Sequence, residues 1–517
     1  MSRQYITTAI DYPNAPRPHM GQVLEKVLAD VVARWFRLRG DEVRFQIGTD
    51  EHGVKMERRA AQEKMTPQEL VDRNVPAFQA LYARLNLSHD FFIRTTNRAK
   101  HWPTVQALWG KLQESGALEK RTYKGLYCQG CERFMTKRDL VDGKCPDHQA
   151  VPEEVSEENW FFLLSREVAW LKKLLTKKKD GYAIVPASRA QETMALIERG
   201  LEDVSFSRPT SSLQWGIPVP DDAEQTMYVW CDALTNYISG LGYFTDHEEK
   251  EWWEGAEVTH VIGKDIARFH ALIWPAMLKH AGVRTPDRLL IHGFLTSEGQ
   301  KMSKSIGNVV EPEKVLDMFG GNPDPLRFYL SHEIPVGNDG DFSWERIEKL
   351  YDSKLRKDLG NLLNRVVMMV NKLGSSLTWK ENYPGIDFLE YWTNADYVWK
   401  KYLKHMDAFE LSDALLLVTG MVSLGNRSID ALKPWGRNDD EKQWILSQLC
   451  EGLRHIALQL LPFIPQTAQE ISRQLGVPYA EKMLEKSFQI TEDMKKWGSQ
   501  KDWKKVGEPR ILFAPLS

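Results

Sequence analysis

Cysteine is scarce in this chain, five residues in 517, so no disulfide framework holds it together and a reducing, cytosolic environment is expected. Long apolar runs are missing too. None approaches the roughly 20 residues that span a bilayer, and Ser2-Arg3-Gln4-Tyr5 opens the chain without the apolar core of a signal peptide. These absences predict a cytoplasmic protein that makes no use of a membrane. Nor is there a surplus of one charge: 68 Lys and Arg stand against 71 Asp and Glu, a net charge of −3. That balance excludes general coating of nucleic acid and confines any polyanion site to a local basic patch. What is present is the composition of a globular enzyme, 42% hydrophobic and 27% charged. At roughly 100–200 residues per domain, the length predicts about three or four domains.

The amino-terminal pattern is α/β. Tyr5 to Ile10 reads as a strand, and Val23, Leu24, Val27, Leu28, Val31, Val32, Trp35 and Phe36 recur at helical spacing until Gly40. A second strand follows from Glu42 to Ile47. Strand, turn, helix, strand opens a Rossmann-type parallel sheet, whose ligands lie beyond the carboxyl ends of its strands. The turn is Pro18-His19-Met20-Gly21-Gln22. Gly21 removes a side chain where a nucleotide approaches, the helix start offers amides to phosphate, and His19 is a donor for a phosphate oxygen. Taken alone, such an HxG is equally a turn with an incidental histidine. The second strand runs into Gly48-Thr49-Asp50-Glu51-His52-Gly53, where Asp50 is placed either for a ligand ammonium or as a helix cap.

Cys128-Gln129-Gly130-Cys131 and, thirteen residues on, Cys145-Pro146-Asp147-His148 form two ligand pairs. They predict a closed, structural Cys3His zinc site made by Cys128, Cys131, Cys145 and His148, stapling a small insertion. Further on, Lys301-Met302-Ser303-Lys304-Ser305 lies between Gly299 and Gly307, a loop that can bring two ammonium groups onto a polyphosphate. Isolated KxxK segments are mostly solvated surface, so the weight falls on what accompanies it. Beyond Glu345 the apolar spacing is helical, consistent with a bundle of about 170 residues.

Complete as it stands, Lys301 to Ser305 resembles the KMSKS loop of class I aminoacyl-tRNA synthetases, and Tyr12, Asn14 and Pro18 to Gln22 resemble their HIGH element. Two departures stand out: Gln22 replaces the last histidine, and one extra residue separates Asn14 from His19. A Gln amide still donates one hydrogen bond but carries no charge. Thr49 to Gly53 resembles the TDEHG stretch of methionyl-tRNA synthetases. Met227 to Tyr237 resembles the same family's YVWFDALTNY segment, and Gly263 to His270 with Trp274-Pro275 follow in family order.

The resemblance implies that Asp50 holds the methionine ammonium, and that Ile10, Tyr12, Trp230, Ala233, Leu234, Tyr237, Ile266, His270 and Trp274 shape the cavity for its thioether. Read alone, Ile266, His270 and Trp274, four apart, are one helix face and would be core. The resemblance assigns ATP to His19, Gly21, Gln22, Gly263, Asp265, His292, Gly293, Lys301 and Lys304, with Mg2+ accompanying the nucleotide. Lys301, Lys304, His19 and Gln22 are the catalytic set. Asn361, Arg365 and Trp435 match the family's anticodon readers, although without that context they read as polar surface and a core tryptophan. Asp11 departs from the family beside the expected cavity. The lysines at 172, 173, 177, 178 and 179 are a solvated helix face or a contact for the acceptor end of the tRNA.

The implied layout is a sheet domain in two halves, 1–116 and 219–325, split by a zinc-bearing insertion at 117–218. A connector that contacts the tRNA stem at 326–345 and a helical anticodon-binding domain at 346–517 follow. The implied partners are L-methionine, ATP and tRNA(Met), with a monomer expected because no appended dimerising module follows Phe513-Ala514-Pro515. Three other readings share parts of this pattern: a cysteinyl-tRNA synthetase, a small-molecule nucleotidyltransferase, and an inactive paralogue that only binds RNA.

Overall fold

Six short runs rich in apolar and β-branched residues pair into one all-parallel sheet. Its spatial order is Phe91–Arg94, Glu42–Thr49, Arg3–Thr8, Glu257–Gly263, Arg288–His292, Ala183–Val185. The computed structural model describes residues 2–128, 133–135, 140–146, 149–177, 181–246, 249–301, 308–374, 377–379, 381, 383, 394–503 and 506–516. From Gln4 to Thr8 the first strand is buried throughout, which is why it shows no polar alternation: helices cover both of its faces. The chain leaves this strand through the helix Met20–Leu38 to Glu42–Thr49 on one side, while Glu257–Gly263 flanks it on the other. The reversal opens a crevice at the carboxyl end of the first strand. Among the described residues, no helix is long and apolar enough to cross a membrane.

The regular ladder of the first strand stops at Thr8 rather than Ile10, and the second runs on to Thr49. Residues 9–11 still touch both neighbours, since the Ala9 amide donates to the Val261 carbonyl at 3.3 Å and the Asp11 amide to that of Gly48 at 2.9 Å. Gly48 is required there, because a Cβ would stand 2.3 Å from the Ile93 carbonyl oxygen.

The insertion begins with Leu118–Cys128, which pairs with Arg133–Met135 and with Glu153–Phe162, the latter carrying Val204–Ser205 on its far edge. Its expected extent, 117–218, needs correcting. Ala183–Val185 returns to the main sheet as its edge strand beside Arg288–Leu290, and the helix Ala187–Glu198 follows it. An edge strand of three residues is too short for alternation to reveal.

After the sheet, Leu295–Ser297 pairs with Gln300–Lys301 and with Gly340–Phe342. The chain then becomes helical through Trp344–Leu350, a π segment Tyr351–Gly360, Asn361–Leu373, Ala395–Asp407, Leu411–Leu432, Asp439–Leu460 and Pro465–Gln474. One hydrophobic core runs from the sheet-covering helix Met20–Leu38 into these helices.

A buried guanidinium fastens the two parts. Arg327, fully buried, donates to the carbonyls of Phe463 (2.8 Å), Pro462 (3.1 Å) and Leu85 (3.3 Å) and pairs with Asp30 at 2.8 Å. Burial alone would raise the Asp30 pKa, but Arg34 and Arg327 outweigh it and hold the carboxyl well below the usual range. Removing one partner of a buried pair costs about 3–5 kcal/mol, because the other charge stays behind. Arg327→Met is therefore expected to lower the unfolding free energy by about 3–5 kcal/mol in denaturant titration. A change below about 1 kcal/mol would show the joint to be dispensable.

Candidate active site

The crevice deepens into a cavity of about 900 Å3. Ala9, Ile10 and Tyr12 enter it from the end of the first strand, Asp50 from the end of the second, and His19 and Gln22 from the start of the helix Met20–Leu38. Trp230, Ala233, Leu234 and Tyr237 come from the helix Val229–Ser239, and Asp265, Ile266, Phe269 and His270 from the segment after Glu257–Gly263. Residues more than 200 positions apart thus converge because they sit at the same end of adjacent strands.

One end of the cavity is aromatic. Trp230 and Phe269 stack with ring centroids 3.5 Å apart and planes 12° from parallel. Tyr237 and His270 form a 2.6 Å hydrogen bond between the hydroxyl and Nε2, while His270 Nδ1 lies 3.1 Å from the Ile266 carbonyl. A carbonyl only accepts, so Nδ1 carries the proton and Nε2 accepts from the tyrosine. Burial pushes the His270 pKa down to about 4, so this wall is neutral at physiological pH and suits an uncharged, polarizable side chain.

Trp274 does not line the cavity. It is buried behind Tyr237, ring centroids 5.9 Å apart, and its Nε1–H donates to His260 Nε2 at 3.1 Å. The four-residue spacing of Ile266, His270 and Trp274 presumed a regular helix, but Phe269–Ile273 is a π turn. Its wider turn rotates the residues that follow away from the cavity. Phe269 takes the lining position, and sequence spacing gave no signal of it.

The carboxylates at the end of the second strand have different fates. Glu51 is buried and bound by Arg94 at 2.7 Å, and His52 pairs with Asp232 at 2.6 Å. Asp50 alone of the three lines the cavity, its amide donating to the Asp11 carbonyl at 2.8 Å. The following helix, Val54–Gln62, is capped by Gly53, which removes the alternative of Asp50 as a helix cap.

Arg17, Lys55, Arg189, Lys264 and Arg268 line the cavity as well, together with the carboxylates Asp50, Glu192 and Asp265. Arg268 lies over the Phe269 ring at 4.6 Å, and Arg17, Arg189 and Lys264 pair with Glu311, Glu192 and Asp339. His19 caps the helix Met20–Leu38 in extended conformation, and its amide donates to Gln22 Oε1 at 2.9 Å. That bond fixes the orientation of Gln22, leaving the NH2 as its donor. A Cβ on Gly21 would lie 3.1 Å from the His19 ring. Gly263, His292 and Gly293 lie beneath the lining. A Cβ on Gly263 would stand 2.7 Å from Asp265 Oδ1, and one on Gly293 only 2.0 Å from the Asn338 carbonyl oxygen. Gly293 thus admits the connector rather than a ligand.

The backbone of Lys301 pairs with Thr296, two residues after Phe294, which lines the cavity. Lys304 and the rest of its loop lie outside the described residues. The same holds for Cys131 and His148, whereas Cys128 and Cys145 share one buried cluster with Met135. Two thiols brought together in a small core fit a zinc site as far as the donors described go. In the helical part, Asn361 opens Asn361–Leu373 and is exposed. Arg365 reaches Asp430 at 2.6 Å on the neighbouring helix, which leads into the turn Pro434–Gly436. Trp435 in that turn is 60% exposed and so is not core.

A parallel sheet with its cleft at the topological switch point, a helix amino terminus aimed into that cleft, and a helical domain behind it are the parts of a class I tRNA synthetase. The sequence profile described as tRNA synthetases class I (M) matches residues 4–154 and 148–367. The methionine–tRNA ligase of Caldanaerobacter subterraneus subsp. tengcongensis is 40% identical, with 98% of this chain and 78% of that one aligned. That of Brucella suis biovar 1 is also 40% identical, over 92% and 93% of the two chains. The solved Mycobacterium tuberculosis methionyl-tRNA synthetase in complex with methionyl-adenylate superposes with a TM-score of 0.88 at 33% identity, covering 99% of this chain and 100% of that one. The chain belongs to the methionine–tRNA ligase family.

The depressed His270 pKa makes stability depend on pH. A histidine whose folded value lies below its ordinary 6.5 stabilises fully above 6.5, and that contribution is lost as pH falls through about 4. Between pH 6.5 and 4 the denaturation midpoint is expected to fall, with a loss of about 3 kcal/mol at full protonation. His270→Gln, which keeps both hydrogen bonds without titrating, should show a shallower dependence.

Proposed function

We propose that this chain joins L-methionine to tRNA(Met) in two steps at the cavity just described. The observation that carries the reading is the cavity's lining, where a neutral aromatic wall, the Asp50 carboxylate, five cationic side chains and a helix amino terminus share one opening. Methionine lies with its ammonium at Asp50 and its thioether against Trp230, Phe269, Tyr237 and His270. ATP, with Mg2+ on its phosphates, lies over Gly263 and Asp265 with its triphosphate at His19 and Gln22. The methionine carboxylate attacks the α-phosphate, the bond to the β-phosphate breaks, and pyrophosphate leaves. A ribose hydroxyl of the terminal tRNA adenosine then takes the methionyl group and AMP departs.

Little proton transfer by side chains is required, since the work is alignment and charge stabilisation. His19 orients the phosphates, and the Gln22 amide donates without adding charge. Lys301 and Lys304 neutralise the departing pyrophosphate. Cys128, Cys131, Cys145 and His148 hold a structural zinc ion that stabilises the insertion. Asn361, Arg365 and Trp435 receive the unstacked anticodon bases, by hydrogen bonding and by stacking on the exposed indole. The protein acts as a cytoplasmic monomer.

Methionine-dependent ATP–pyrophosphate exchange tests the activation step, since cysteine would drive it in a cysteinyl enzyme and no amino acid would in an RNA-binding paralogue. Lys304→Ala is expected to slow exchange about 100- to 1,000-fold while leaving methionine affinity nearly unchanged; normal exchange would refute the assignment. Trp435→Ala should leave exchange intact and lower the kcat/KM for tRNA charging by about 5- to 150-fold, stacking being worth about 1–3 kcal/mol.

A further inference from the structure

Asp11, the residue that departs from the family beside the cavity, turns its side chain under the floor. It is 5% exposed, and its carboxylate meets Lys26 Nζ at 3.0 Å and the Tyr82 hydroxyl at 2.5 Å. Lys26 is fully buried, and its ammonium spends three donors on three partners. These are Asp11, the Ala9 carbonyl at 2.9 Å and Glu25 Oε1 at 2.9 Å.

The three partners lead to two walls. Ala9 and Asp11 bracket Ile10, which lines the aromatic end. The main chain of Asp11 also accepts from the Asp50 amide at 2.8 Å, so the residue gripped by its carboxylate holds Asp50 by its carbonyl. Glu25 leads the other way: its second oxygen is 3.4 Å from His292 Nε2. The His292 ring in turn lies about where a Cβ on Gly263 would touch it, at 3.5 Å. An ammonium between two buried carboxylates is a weak source of stability, because apolar side chains of equal volume serve as well or better. What it supplies is direction, since an ion held by three partners fixes all three relative to one another.

We propose that Lys26 is a positioning residue that sets both substrate walls at once, the methionine wall through Ala9 and Asp11 and the nucleotide floor through Glu25 and His292. The proposal rests on the assignment of the aromatic end to methionine and of the helix amino terminus to ATP.

The test is steady-state pyrophosphate exchange with methionine and ATP varied separately, using the full chain. Asp11→Asn should raise the KM for methionine about tenfold with the KM for ATP within about twofold, and Glu25→Gln should do the reverse. Lys26→Met should raise both constants, with partial recovery in Lys26→Arg; if Lys26→Met does not fold, the two carboxylate variants carry the test. A purely structural role would lower the melting temperature and the active fraction while leaving both KM values unchanged. That result, or equal rises in both constants for each carboxylate variant, would overturn the proposal. Trp230→Ala separates the two levels. If it leaves the methionine KM unchanged, the substrate assignment fails; if it raises that KM and the carboxylate variants show no split, Lys26 alone is misassigned.

Discussion

A parallel sheet whose chain departs from its central strand in both directions must leave one gap that no crossover helix covers. The side chains that line the cavity are gathered around that gap. Arg3–Thr8 is the strand from which the chain departs, Glu42–Thr49 and Glu257–Gly263 are its two neighbours, and the residues just past their carboxyl ends are Ile10, Tyr12, Asp50 and Asp265. The same geometry points the amino terminus of Met20–Leu38 into the gap, where the helix dipole favours an entering anion.

Holding these turns in register calls for polar groups inside the protein. Asp232, on the helix that carries Trp230 and Tyr237, is buried between His52 at 2.6 Å and His101 at 2.6 Å. Burial would raise its pKa, but the two imidazoles overcome that and hold it far below the usual carboxyl range. The aromatic helix is thereby tied both to the segment following Asp50 and to the helix His101–Glu114. Such bonds are directional where apolar contact is not, which explains their concentration around a cavity that must keep one shape.

Much of this was legible in the residues. The helical spacing from Val23 to Phe36, the glycine at position 21 and the carboxylate at position 50 are local patterns, and local patterns survive in a sequence. The misses have physical causes. Phe269 replaced Trp274 at the cavity because a π turn breaks the spacing on which the expectation relied. Ala183–Val185 went unseen because three residues carry no period. Arg17, Lys55, Arg189, Lys264 and Arg268 are scattered singly along the chain, and only folding assembles them into a cationic wall. Asp11 and Lys26 stand fifteen positions apart across a strand, a turn and a helix, so their pairing becomes visible only once the helix is laid against the sheet.

The buried Arg327 joint bears on how a long, shaped molecule would be handled. Four oxygens from three separate parts of the chain converge on one guanidinium in a dry interior, so the helical part is fastened to the sheet domain by directional bonds. On the proposed reading of Trp435 as an anticodon contact, the span between that indole and the cleft would select an RNA whose stem has the matching reach, so that length is judged before any chemistry begins.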